Sequence, residues 1–131
     1  MIYLDTHAWL WLATDPSRLS RAATTAIQSA VGSGGIAIAS ITLVELAWLM
    51  GRGRLRLHGS PERLVTELVE TTGVVIREIT PVIAALFVQL PENFGRDPVD
   101  RIIAATAHAE GAPLVTRDRR LRASRLIETV W

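Results

Sequence analysis

Five carboxylates stand where they can act together: Asp5, Glu45, Asp97, Asp100 and Asp118. Each falls at, or within a turn of, a junction where an apolar run or a loop gives way to a helix-like segment. Asp5 closes the apolar run Met1-Ile2-Tyr3-Leu4, and Thr6-His7-Ala8-Trp9-Leu10-Trp11-Leu12 follows at once. In open α/β sheets ligands bind outside the carboxyl ends of the strands, so an acid at such a junction stands on the ligand-binding edge. Four or five carboxylates in one cleft repel one another; they stay ionised only around a cation, and otherwise some of their pKa values rise. His7, His58 and His108 show no ligand spacing and cysteine is absent, so the donors are oxygen only. That set selects a hard ion, Mg²⁺ or Mn²⁺. The chemistry it suits is phosphodiester hydrolysis, where metal ions activate water and neutralise phosphate charge.

Each acid also has a plain structural role. Asp5, Asp97 (ahead of Pro98) and Asp118 suit helix N-caps, Thr42 and Glu45 have capping-box spacing, and Asp100 fits the reciprocal position to Asp97. The joint pattern favours a site: of five aspartates only Asp15 lies elsewhere. Asp97 and Asp100, three apart, share a helix face.

The elements that must position these groups are legible from periodicity and punctuation. Strands are expected over 1–5, 36–40, 74–79 and 112–116, with a further edge strand over 126–130. Helices are expected over 6–13, 18–31, 42–50, from Ser60-Pro61 to 71, from Thr80-Pro81 to 90, from Asp97-Pro98 to just before Gly111, and 118–123. Gly32-Ser33-Gly34-Gly35 follows a helix and lacks the spacing of a phosphate cradle, so it reads as a turn. Strands alternating with helices imply βαβ units: a three-layer α/β/α arrangement with a mostly parallel central sheet of four to five strands. Residues 1–131 read as a single domain.

Composition narrows the function classes. Hydrophobic residues make up 49% of the 131, which suits a packed core. No apolar run reaches membrane-spanning length and no basic leader precedes the first strand, so the expectation is a cytoplasmic protein without a membrane partner. The net charge of +1 carries no global polyanion signature. All 14 basic residues are arginine, which rules out Schiff-base, P-loop-lysine and lysine-dependent phospho-aspartate chemistry. Arg117, Arg119, Arg120, Arg122 and Arg125 crowd beside Asp118, and Arg52, Arg54 and Arg56 form a second cluster. Each is either a phosphate-contacting strip or a solvated face. Trp9 and Trp11, two apart, cannot share a helix face, so at least one is expected at a surface or interface; Trp48 suits core or interface equally.

Four stretches carry a resemblance: MIYLDTHAWLW at 1–11, SITLVELAWL at 40–49, DPVDRIIAATAHAEGAPLVTRD at 97–118, and the Arg119-Arg120-Leu121 that follows. In order and spacing they resemble the PIN-domain ribonucleases, and among these the VapC-type toxins of bacterial toxin–antitoxin pairs. The resemblance implies a PIN-like fold and a Mg²⁺-dependent endoribonuclease, with Mn²⁺ as the other suitable ion. It matches the family's acids to Asp5, Glu45, Asp100 and Asp118. Asp5, Asp100 and Asp118 are then the metal ligands, Asp97 an outer carboxylate or helix cap, and Glu45 the group that orients or deprotonates water. Thr6, Ser40 and Thr116 support the acids, although a turn for Ser40 and strand-end packing for Thr116 are equally open. Arg117, Arg119 and Arg120 are candidate RNA contacts. The implied partners are an RNA substrate, a cognate antitoxin and a second copy of the chain. The alternative is a non-catalytic PIN-like module that binds RNA or protein; acids at all four matched positions argue against it.

Overall fold

The computed structural model describes residues 1–53 and 59–131; Arg54, Arg56 and His58 lie outside the described residues. Five parallel strands form one sheet: β1 (Ile2–Leu4), β2 (Ile36–Ala39), β3 (Val75–Arg77), β4 (Leu114–Val115) and β5 (Thr129–Val130), in the order β3-β2-β1-β4-β5. Helices α1 (Thr6–Thr14) and α2 (Arg21–Val31) connect β1 to β2. Helices α3 (Ile41–Gly51) and α4 (Pro61–Thr72) lead to β3, α5 (Pro81–Gln89) and α6 (Pro98–Ala109) to β4, and α7 (Arg119–Ala123) to β5.

Alternation along the strands sorts the two faces. Ile2, Leu4, Ile36, Ile38 and Val115 point to one side, where α1, α2, Leu46 of α3, and Leu64 and Leu68 of α4 cover them. Tyr3, Ala37, Ala39 and Leu114 point to the other, against Ile83 of α5, Ile103, Ala104, Ala105 and Ala107 of α6, and Leu121 of α7. Alanines face one another across that second interface, so α6 can lie close to β2 and carry its first turn to the end of β1. The three-layer, all-parallel arrangement expected from the sequence is the one observed.

The chain builds outward from β1 to β2 and β3, then crosses back to β4 and β5. The direction of winding therefore reverses between β1 and β4, the place where a doubly wound sheet opens a crevice. Leu4 pairs with Val115, and the Asp5 amide donates to the Val115 carbonyl at 3.1 Å. Asp5 and the segment leading to Asp118 thus leave the sheet side by side.

Several expected boundaries shift. The helix expected over 18–31 starts later: Pro16–Arg18 is a 3₁₀ turn, and α2 begins after Ser20, whose hydroxyl accepts from the Ala23 amide at 3.0 Å. The strand expected over 74–79 ends at Arg77, because its partner β2 stops at Ala39 and turns into α3. The Thr42–Glu45 capping box does not form: α3 starts at Ile41, so Thr42 is already inside it. Trp9 and Trp11 are both buried, against the expectation that at least one would lie at a surface or interface. Trp9 donates from Nε1 to Thr72 Oγ1 at 2.9 Å, and Trp11 is covered by His7, Arg18 and Trp131. Neighbours thus cover α1 on more than one side. Trp48 is the exposed indole, at 58%.

Candidate active site

Three of the five carboxylates are placed by helix starts. Asp5 caps α1, its Oδ1 accepting from the Ala8 amide at 2.7 Å. Asp97 caps α6 through Val99 at 2.9 Å. Asp118 caps α7 through Arg120 and Leu121 at 2.8 and 3.0 Å. Capping fixes each carboxylate against the positive end of a helix. It uses Oδ1 each time, which leaves the second oxygen for other partners. Capping and site-building are therefore not competing readings here, since one side chain does both.

The other two are held differently. Glu45 stands one turn into α3, and its Oε2 accepts a short hydrogen bond from the buried Thr6 hydroxyl, which follows Asp5 directly. Asp100 lies in the first turn of α6, one turn past the Asp97 cap. The neighbouring Arg101 fixes the approach to that turn. Its guanidinium donates to the carbonyls of Phe87 (2.9 Å), Leu90 (2.7 Å), Pro91 (3.1 Å) and Gly95 (3.2 Å), tying the end of α5 to the segment that leads into Asp97. Gly95 has φ +84°, and a Cβ there would come within 2.9 Å of Arg120 Nη1. The segment is thus gripped from two sides.

Asp5, Glu45, Asp97, Asp100 and Asp118 line one cleft of about 490 Å³, together with His7, Trp11, Arg18 and Arg117. Four are half-buried and Asp97 is exposed. Burial raises the carboxyl of Asp5, opposed by hydrogen bonds from Thr116 and the Ala8 amide and by His7, with Asp118 pushing further upward. Burial likewise raises Glu45; Thr6 and His7 oppose it, while Asp97 and Asp5 add to it. Asp100 is pushed up to about 7, first by burial and then by Asp97, Asp118, Glu45 and Asp5. Asp5, Glu45 and Asp100 are thus each raised in part by other acids of the set.

Of the supporting residues, Thr6 and Thr116 both touch acids; Thr116 Oγ1 also accepts from the Asp118 amide at 3.0 Å. Ser40 makes no capping bond to α3 and no hydrogen bond to Glu45 among the described residues. Arg117 lines the cleft, whereas Arg119 and Arg120 are exposed outside its lining. His108 is exposed in the last turn of α6. Sequence reading missed Arg18, Trp11 as a wall of the cleft, and Arg101. The four-residue spacing of His7 and Trp11 was the available signal, since it puts both on one face of α1. Nothing local ties Arg18 to the acids, and although Arg101 follows Asp100 directly, nothing in that adjacency foretells its reach to the carbonyls before Asp97.

The donor set suits a hard divalent ion, because it is all oxygen and its charges are mutually unfavourable without one. Among the described residues no group of three or more His, Asp or Glu side chains closes around a metal position by itself. Mg²⁺ characteristically keeps several waters and takes only one or two carboxylates directly, so an open wall of acids fits it.

A second concavity lies away from the acids. Leu43, Val44, Ala47 and Trp48 of α3 face Pro61, Glu62, Val65 and Thr66 of α4 across an apolar groove of about 540 Å³. No helix among the described residues is long and apolar enough to cross a membrane.

A family model described as "PIN domain" matches residues 2–125. The chain is 42% identical to Ribonuclease VapC22 of Mycobacterium tuberculosis over 132 aligned positions, 99% of this chain and 98% of that protein. Its fold is similar to that in the crystal structure of VapBC2 from Rickettsia felis bound to a DNA fragment from their promoter. The TM-score there is 0.72 at 19% identity, covering 98% of this chain and 97% of that one. It is also similar to DNA-bound VapBC from Salmonella typhimurium, with TM-score 0.71 at 20% identity and coverage of 98% and 97%.

Proposed function

This chain belongs to the PIN-domain family, and on that premise we propose that it is an endoribonuclease, the toxin of a toxin–antitoxin pair, that hydrolyses RNA phosphodiester bonds with a divalent metal ion, Mg²⁺ or Mn²⁺. The single observation that carries the reading is the gathering of Asp5, Glu45, Asp97, Asp100 and Asp118 in one cleft at the switch point of the sheet. Identity of 42% to a ribonuclease over nearly the whole chain supports it.

Asp5, Asp100 and Asp118 would hold the ion, with Asp97 behind Asp100. Once bound, it would lower the pKa of water and stabilise charge on the phosphate. The chain's own contributions follow from the geometry. Asp5 and Asp118 are locked in place by their caps and by Thr116, so little reorganisation accompanies substrate binding. Glu45, raised by burial and held by Thr6, is the base that orients the attacking water and takes its proton. Arg117 meets the RNA backbone at the cleft, with Arg119 and Arg120 further out. No covalent nucleophile is needed.

The antitoxin's place is the α3–α4 groove, where an apolar segment would cover Val44 and Trp48, exposed by 62% and 58%. A homodimer would cover some of the exposed apolar surface at Ile79, Val82 and Val88. A single domain and a cytoplasmic location complete the reading.

The test is direct. Purified protein is incubated with mixed RNA in Mg²⁺ or in EDTA, beside Asp5→Asn. Cleavage should require the metal and vanish in the variant; equal cleavage by Asp5→Asn would eliminate the site.

A further inference from the structure

Arg18 lines the carboxylate cleft without being neutralised by it. Among the described residues it makes no ion pair and no side-chain hydrogen bond, although five acids share its cleft. Its guanidinium rests instead over the Trp11 ring, 4.6 Å from the centroid. Trp11 is itself wedged between His7 and Trp131, each with its ring centroid 5.7 Å away. From below, the 3₁₀ turn Pro16–Arg18 fixes the backbone, the Arg18 amide donating to the Asp15 carbonyl at 3.1 Å. An aromatic face attracts the cation without using its N–H donors. The result is a positioned guanidinium with its hydrogen-bonding capacity intact, at the rim of an acidic cleft.

A bound strand brings several phosphates to that rim. A metal ion held among the acids would answer the charge of the phosphate being cut. Beyond the reach of Arg117, the phosphates on either side would meet the field of the acids, which repels them. They need a fixed cation outside the ligand set, and Arg18 is one. We infer that Arg18, seated on Trp11, is a subsite for a non-scissile phosphate of the bound RNA strand. The inference rests on the ribonuclease reading and extends it to how the strand is held. An acidic peptide would use the same chemistry, but the cleft's five acids disfavour a polycarboxylate more than a strand whose cut phosphate a metal can hold.

The test uses the full chain carrying Asp5→Asn, so that a labelled single-stranded oligoribonucleotide of mixed sequence stays uncut in Mg²⁺. Adding Arg18→Ala should weaken binding by roughly tenfold, the value of one charge-assisted contact. It should also shrink the slope of log affinity against log salt by about 0.7, as expected for one single-strand phosphate. Arg18→Lys should keep the slope and recover only part of the affinity. Arg21→Ala, which removes an exposed arginine outside the cleft lining, should change neither. In the chain with Asp5 intact, Arg18→Ala should raise KM and leave kcat within about twofold, the mark of uniform binding. An unchanged salt slope, or equal losses from Arg18→Ala and Arg21→Ala, would overturn the subsite. So would weaker binding of polyglutamate with RNA binding intact. Loss of metal-dependent cleavage by the unsubstituted protein would instead overturn the ribonuclease reading, so the two failures are distinct.

Discussion

Helix α3 borders two regions of opposite character, and the contrast between them separates the chemistry from the company this fold keeps. Glu45 enters the carboxylate cleft, while its neighbour Val44 and, one turn on, Trp48 line the apolar groove against α4. In the cleft, side chains are fixed by caps and buried hydroxyls, and their charges are raised in energy. In the groove, large apolar groups stand exposed. Rigid polar groups at one region suit catalysis; uncovered apolar groups at the other suit a partner. Substitutions should therefore divide cleanly.

The largest separation is expected between Asp5→Asn and Trp48→Ala. The first should lower RNA cleavage by about a thousandfold or more, since metal-assisted charge stabilisation is worth several kcal/mol at about 1.36 per tenfold. The second should leave cleavage within about twofold in the free protein. An equal fall in both would erase the distinction. Trp48→Ala should instead weaken a purified antitoxin by about thirtyfold, the usual loss when a central aromatic anchor is truncated; calorimetry checks this.

Thr6→Val sharpens the cleft side. It keeps the buried volume but removes the donor to Glu45, and cleavage should drop by about ten- to a hundredfold, as for other partners that orient active groups. Thr6→Ser should restore most of the rate. Full activity in Thr6→Val would mean that Glu45 needs no orientation. Arg101→Ala should cost about 2 kcal/mol of folding stability through its lost hydrogen bonds to carbonyls, read in urea denaturation. An unchanged midpoint would show that the segment before Asp97 is fixed by other contacts.

The smallest effect is a pH dependence confined to the cleft. Asp100 moves from 3.8 to about 7 on folding, so the folded state holds its proton more tightly than the unfolded chain. Stability from this group is complete below 3.8 and declines as pH rises toward 7, because the unfolded chain ionises first. Metal-free protein should melt at a lower temperature at about pH 8 than at about pH 5. Asp100→Asn should flatten that difference, and Mg²⁺ should reduce it. A slope unaffected by Asp100→Asn would place the strain elsewhere.

The cleft was largely legible in the sequence because its acids sit at local signals. Asp5, Asp97 and Asp118 are caps, and caps announce themselves beside Thr6, Pro98 and Arg119. Strand alternation with helices was enough for the parallel sheet and its three layers. The winding order that brings Asp5 beside Asp118 is a long-range property, and it rested on the resemblance to a family. What stayed hidden was contact without local grammar. Arg18 meets Trp11 only because a 3₁₀ turn folds back, and Arg101 reaches four carbonyls spread from Phe87 to Gly95. One of Trp9 and Trp11 was expected at a surface or interface because their two-residue spacing separates them, but α1 is enclosed by its neighbours.

Asparagine terminates a helix about as well as aspartate does. One consequence of the three capping acids is that Asp→Asn at position 5, 97 or 118 removes charge and spares architecture. A chain disarmed this way would keep its shape and its α3–α4 surface, and would go on sequestering whatever docks there. Loss of the reaction would not free the binder, and the silenced copy would act as a decoy for its active siblings.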